Sequence, residues 1–186
     1  GSNYSELSQK IESCYQFWED NKTDLNQTKN IPIPIFIVGL PRSGKTMTES
    51  ILDCNKKLIK CGEDPALQKA IKIYLEAKEN SLGPNLSKLY LNNIKADISS
   101  KSFISTTNSM DLIYIELITS QIPIAKVIYC YRNPLDNIKE IYKKNMENRN
   151  TYSCSIVESA NLYIEVYSLM KEYQKKYNSK IYFLNY

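Results

Sequence analysis

Ile33-Pro34-Ile35-Phe36-Ile37-Val38-Gly39-Leu40-Pro41-Arg42-Ser43-Gly44-Lys45-Thr46 decides the fold. Its first half, Ile33 to Val38, is a β-branched apolar run without polar alternation, the pattern of a strand buried on both faces. Gly39 to Gly44 supplies a turn, and Thr46 to Cys54 reads as a helix. Glycines let the backbone fold into a concave nest of N–H donors, and the helix start presents partial positive charge to an anion. A phosphate or sulfate is the expected occupant. The spacing also satisfies G-x-x-x-x-G-K-[ST], the nucleotide-triphosphate loop, in which Lys45 would reach β- and γ-phosphates and Thr46 would ligate magnesium. A plain glycine turn between strand and helix is the bland alternative.

Outward from this stretch, Leu58 to Cys61 reads as a short strand, and Pro65 opens a helix carrying Ala66, Ala70, Ile73 and Leu75 that ends before Gly83-Pro84. Leu86 to Ile98 reads as a helix, Ser102 to Ser105 as a strand and Met110 to Ile122 as a helix closed by Pro123. Lys126 to Tyr131 is a second interior strand. Arg132-Asn133-Pro134 then turns the chain into a helix over Leu135 to Met146, with Ile138, Ile141 and Tyr142 on one side. Val157 to Tyr177 is the longest helical pattern, with Leu162, Val166, Leu169, Met170 and Tyr173 inward, and Ile181 to Leu184 returns as a strand. Strands separated by helices require crossover connections, hence an α/β fold of three layers, α/β/α, with a parallel central sheet. Residues 1–30 read as an N-terminal helix, with Leu7, Ile11, Tyr15 and Trp18 at helical spacing, and a polar linker; Gly1-Ser2 looks like a tag remnant. Residues 31–186 form the α/β domain, which reads as cut short at its C-terminal end.

The 186 residues fit one domain, and 24 Lys plus Arg against 20 Asp plus Glu leave a net charge of +4. Such a mild excess suits an anionic small molecule and calls for no nucleic-acid partner. The chain has no histidine. Serine–histidine and cysteine–histidine catalysis, His-ligated zinc and imidazole proton transfer are therefore excluded. Cys14, Cys54, Cys61, Cys130 and Cys154 are dispersed and odd in number, so neither a metal clip nor a disulfide framework is indicated. The longest apolar stretch, Ile31 to Leu40, is broken by Pro32 and Pro34 and too short to span a bilayer, and no leader is legible before it. The expectation is a soluble, cytoplasmic chain without a membrane span.

Three segments carry a family resemblance. Ile35 to Gly44 resembles the 5′-phosphosulfate loop of sulfotransferases that use 3′-phosphoadenosine 5′-phosphosulfate (PAPS), closest to the protein-tyrosine and tetratricopeptide-linked bacterial branch. That branch continues Thr-Thr-Leu where this chain has Lys45-Thr46-Met47. Lys126 to Asp136 is similar to the family's strand, loop and helix for the 3′-phosphate, with Arg132 at the position of its phosphate-pairing arginine. A guanidinium fork at a strand end suits that task, whereas a nucleotide-triphosphate hydrolase would place a magnesium-holding aspartate there. Cys61-Gly62-Glu63-Asp64 resembles the stretch that supplies the catalytic base of the tyrosine-sulfating branch.

The resemblance implies a fold related to nucleotide-triphosphate-loop proteins and an enzyme that moves a sulfuryl group from PAPS to an acceptor hydroxyl on a tyrosine, small molecule or glycan, leaving 3′-phosphoadenosine 5′-phosphate (PAP). Arg42, Ser43, Gly44, Lys45, Thr46 and Met47 would cradle the phosphosulfate, Arg132 and Lys144 would hold the 3′-phosphate, and Glu63 and Arg42 would be catalytic, with no metal. Two readings stand beside these roles: Arg132 as a surface cation, and Glu63 as a carboxylate favoured by a helix dipole ahead of Pro65. There are departures as well. Glu140 stands where the family has a serine that contacts the 3′-phosphate, and by length matching Thr107 replaces a lysine of the reaction centre. Lys144 would offset Glu140, and Lys45 would compensate for Thr107. A magnesium-dependent nucleotide kinase or hydrolase using Lys45 and Thr46, and a catalytically decayed anion-binding module, are the competing functions.

Overall fold

The computed structural model describes Gln9 and residues 31–78, 85–143 and 155–186. Apart from Gln9, the helix expected over Tyr4 to Trp18 lies outside these residues, as do Gly83-Pro84, Lys144, Met146, Cys14 and Cys154. The strands are β1 (Ile33–Val38), β2 (Leu58–Lys60), β3 (Phe103–Thr106), β4 (Lys126–Tyr131) and β5 (Ile181–Asn185). The helices are α1 (Lys45–Leu52), α2 (Ala66–Lys78), α3 (Leu86–Asn93), a 3-10 helix (Ser109–Tyr114) running into α4 (Ile115–Gln121), α5 (Pro134–Lys143) and α6 (Ile156–Lys176).

All described strand pairs are parallel, in the order β2-β3-β1-β4-β5. β1 is central because both faces of its pleat are apolar. Phe36 and Val38 pack with residues of α2, α3, α4 and α6, while Ile35 and Ile37 pack with Ile51 and Leu52 of α1. These clusters make the three layers. Leu40, Ile141 and Tyr163 form a third cluster that ties α5 and α6 to the end of β1. Among the described residues no helix is long and apolar enough to cross a membrane.

Several local readings change. The helix expected over Leu86 to Ile98 ends at Asn93, because Ile94 is extended (φ −70°, ψ 130°). The helix expected over Met110 to Ile122 is divided: Asn108 accepts the Met110 N–H at 3.0 Å and winds a 3-10 turn before α4 begins. In α6 the buried stripe is Tyr163 and Met170, with Leu162, Val166 and Tyr173 half-buried. Leu169, expected inward, is 44% exposed, since one residue is a 100° step away from Met170. α2 buries Ala66, Leu67, Ala70 and Ile71 and turns Ile73 and Leu75 outward. In α5, Ile141 is buried and Ile138 half-buried, while Tyr142 leaves their side at 47% exposure.

Because the strands are parallel, the segments after β1, β2, β3, β4 and β5 all emerge at one edge of the sheet. From β1 the chain runs outward to β2, and from β3 it crosses back to β4. The neighbouring ends of β1 and β3 are thus a topological switch point, where open α/β sheets form ligand crevices. The turn out of β1 starts at Gly39 (φ 149°), where an added Cβ would lie 2.3 Å from the Cys130 carbonyl oxygen of β4. That oxygen is backbone in a central strand and has nowhere to go. Gly39→Ala is therefore expected to cost at least about 2 kcal/mol, lowering the unfolding midpoint by roughly 4–8 °C in a thermal melt.

Candidate active site

The loop after β1 is built around alternating backbone conformations. Ser43 donates its N–H to the Leu40 carbonyl at 3.2 Å, and Arg42 (φ 64°) and Gly44 (φ 96°) are left-handed. Left-handed residues on either side of Ser43 are the backbone pattern from which anion nests are built. A left-handed arginine costs on the order of 1 kcal/mol, a strain concentrated at functional sites. Gly44 caps α1 without a side-chain hydrogen bond, and the first turn of α1 holds no acidic residue. By contrast, α3 and α6 are capped by Asn85 and Ser155. The start of α1 thus keeps its N–H groups and its dipole for an external anion. The Ser43 hydroxyl is buried beside them with no hydrogen-bond partner. An orphaned donor among free amides fits a phosphate or sulfate oxygen. Lys45 is buried in the loop with Nζ donating to the Gly39 carbonyl at 2.8 Å, and burial pulls its pKa down against the attraction of Cys130, Glu63 and Asp111.

These groups line a cleft of about 450 Å³ formed by residues 41–47 with Glu63, Ser109, Arg132, Glu140 and Tyr186. A larger but shallow groove of about 580 Å³ along β2 holds none of the loop residues. Arg132 leaves β4 with its carbonyl accepting from the Tyr163 hydroxyl at 2.8 Å, and its guanidinium lies 3.8 Å from the Asp136 carboxylate. Asn137, buried one turn into α5, donates its amide to the Pro41 carbonyl at 2.8 Å. The segment bearing Arg132 is thereby pinned to the loop. Tyr186 follows β5 and extends the ladder, its N–H bonding to the Tyr131 carbonyl at 2.7 Å. Its ring lies against Gly44, where an added Cβ would come 2.4 Å from it, and the Arg132 guanidinium sits 5.9 Å from the ring centroid.

Glu63 reaches the same cleft from β2. The capping role available to a carboxylate before α2 is filled by Asp64, whose Oδ1 accepts the Ala66 N–H at 2.8 Å, leaving Glu63 exposed at the cleft. Its loop is held from below: the Gly62 carbonyl accepts the Thr107 N–H at 2.7 Å, and Asn108 donates to the Asp64 carbonyl at 3.3 Å. Thr107 is buried and does not line the cleft. Glu140 does line it, with Lys143 Nζ 3.7 Å from its carboxylate, and Lys144, expected to offset it, lies outside the described residues. Sequence reasoning missed Ser109, Asn137, Tyr163 and Tyr186. Only Tyr186 had a signal, its place directly after an apolar strand.

Comparison with known proteins adds a family and a fold. Residues 34–186 match the sulfotransferase family. A protein of Aquifex aeolicus (strain VF5), described as uncharacterized, is 30% identical over 129 residues, covering 60% of this chain and 17% of that protein. The chain thus spans under a fifth of that relative's length. Among solved structures, the sulfotransferase STF1 of Mycobacterium tuberculosis H37Rv superposes with a TM-score of 0.51 at 13% identity, over 96% of this chain and 67% of that one. Shikimate kinase of Bacteroides thetaiotaomicron aligns with a TM-score of 0.44 at 12% identity, over 82% of this chain and 86% of that one.

Beneath the Glu63 loop lies a buried carboxyl. Asp111 accepts from Gln68 of α2 at 2.5 Å and from the Thr106 hydroxyl at 3.3 Å, and burial pushes its pKa up to about 7. Between about pH 4 and pH 7 the folded chain keeps a proton here that the unfolded chain releases. This group's contribution to stability is therefore full below about pH 4 and is lost as pH rises through 7. Asp111→Asn retains an acceptor for Gln68 and removes the titration. It is expected to flatten the fall in stability between pH 5 and pH 8 by on the order of 1–3 kcal/mol, read by urea unfolding at both pH values.

Proposed function

Since the chain belongs to the sulfotransferase family, we propose that it transfers a sulfuryl group from PAPS to an acceptor hydroxyl, using the cleft between the loop after β1 and Arg132. The observation that carries this reading is that the anion nest, Arg132 and Glu63 open into one cavity of about 450 Å³. Two cationic grips facing one space suit a nucleotide carrying charge at both ends, and a carboxylate in the same cavity, arriving from the β2 side of the loop, suits proton abstraction.

The roles follow from the chemistry. The amides at residues 44–47, the Ser43 hydroxyl and Lys45 would hold the 5′-phosphosulfate, and Arg132 the 3′-phosphate. Lys143 offsets the Glu140 carboxylate that faces the same end. PAPS would supply a sulfuryl group on a good phosphate leaving group. Glu63 would take the acceptor's proton as the new O–S bond forms, and Arg42 with Lys45 would stabilise charge on the oxygen left behind when the old S–O bond breaks. Lys45 then stands in for the cation absent at Thr107. Its lowered pKa reflects burial, and an incoming sulfonate would favour its charged form.

Calorimetry with PAP tests the cleft directly. Micromolar binding is expected to weaken at least about tenfold in Arg132→Ala and to be insensitive to a magnesium chelator. Glu63→Gln is expected to bind PAP as the wild type does while transfer from PAPS falls at least about 100-fold. Lys45→Thr should also depress transfer. Absence of PAP binding in the wild type overturns the reading. Magnesium-dependent ATP binding that is lost in Thr46→Ala would replace it with a kinase or hydrolase.

A further inference from the structure

Glu49 lies on α1, one turn and a half beyond the phosphate loop, and does not line the cleft. It is 1% exposed, an unusual setting for a carboxylate with no cation paired to it inside hydrogen-bond range among the described contacts. Its Oε1 accepts two hydrogen bonds that come from different elements: the Gly62 N–H at 3.0 Å and the Ser105 hydroxyl at 2.9 Å. Gly62 immediately precedes Glu63, and Ser105 lies in β3 beside the Thr106 that precedes Thr107. The same Gly62 is held on its other side by the Thr107 N–H. One buried side chain thus joins the helix that begins at the phosphate loop, the strand end under the switch point and the backbone that carries the acid of the cleft.

We infer that Glu49 is the positioning residue of this site: it fixes Glu63 relative to the phosphate loop by holding the Gly62 amide from α1. This rests on the reading of Glu63 as the base that receives the acceptor's proton. The physical requirement is strict, because a base displaced by about 1 Å from the reacting hydroxyl can lose a factor of roughly 100 in rate. Loop residues alone hold such tolerances poorly, and hydrogen bonds from a rigid helix hold them well. Hydrogen bonding to the backbone N–H, not charge at the reacting atoms, is the contribution, so a neutral acceptor of the same shape can replace it.

Three variants and two readouts test this. Glu49→Ala is expected to bind PAP within about threefold of the wild type, since no loop contact is removed, while kcat for transfer from PAPS to a simple phenol falls at least about 30-fold. Glu49→Gln keeps an Oε1 acceptor for both donors and should recover transfer to within about threefold. Ser105→Ala, which leaves the Gly62 bond in place, should fall by less than Glu49→Ala. In parallel, the Gly62 and Glu63 amide resonances are followed while PAP is added: they should respond in the wild type and in Glu49→Gln, and stop responding in Glu49→Ala although Gly44 still does. Parallel loss of PAP affinity and kcat, unchanged kcat in Glu49→Ala, or failure of Glu49→Gln to restore the amide response overturns the positioning role while leaving the proposed reaction intact. A wild type that binds no PAP overturns the proposed reaction, and this role with it.

Discussion

The close approach of Gly39 to the Cys130 carbonyl is the constraint on which the rest of the molecule depends. β1 lies between β3 and β4 in the sheet, so the chain leaving it must pass over the end of a neighbouring strand before it can start α1. Only a residue without a side chain clears that oxygen. The tight exit in turn sets the entry angle of α1, winds Arg42 and Gly44 into left-handed backbone, and directs the uncapped amides into the crevice beside β3. A looser exit would leave the same glycines and cations in the sequence and no nest.

Around that turn the molecule uses buried polar contacts as struts between elements far apart in the chain. Asn137 joins α5 to Pro41, Tyr163 joins α6 to the Arg132 carbonyl, and Glu49 joins α1 to Gly62. Each is a side chain bonded to backbone, which fixes where a loop runs without depending on how its own side chains rotate. The aromatic layer behind Arg132 works to the same end. Tyr163 and Tyr167 stack with ring centroids 6.2 Å apart, and Tyr167 meets Phe183 edge-on at 6.2 Å. Their bulk gives the strand ends of β4 and β5 a rigid backing. The tyrosines of α6 are packing elements, and Tyr163 adds a hydrogen bond to that role.

What could be read from the sequence followed from how local the determining physics was. β1 and β4 were legible with their boundaries, because a short unbroken run of β-branched and aromatic residues suits a strand buried on both faces and is too brief for a stable helix. The turn after β1 was legible because its glycines and cations are compressed into eight consecutive residues, and the arrival of Glu63 and Arg132 at the same sheet edge because each follows a strand in a parallel sheet. Helix orientation was less legible: in α6, Leu169 and Tyr163 are equally good inward residues until the position of β4 and β5 is known. The roles of Asp64 and Glu63 could not be separated either, since adjacent carboxylates before a helix both suit its dipole and only geometry assigns the cap. Glu49 was invisible for a different reason. Nothing in a helical Thr-Glu-Ser distinguishes a carboxylate facing water from one folded into the protein, and its partners lie in segments whose approach is decided by strand order.

The ring of Tyr186 resting on Gly44 joins the far end of the described chain to a turn near its beginning. During synthesis, the loop and α1 would leave the ribosome long before β5 exists, so for most of translation the nest would stand without its aromatic wall. The mouth of the crevice therefore takes its final shape only when β5 has docked along β4, so that shape belongs to the assembled sheet rather than to the loop by itself.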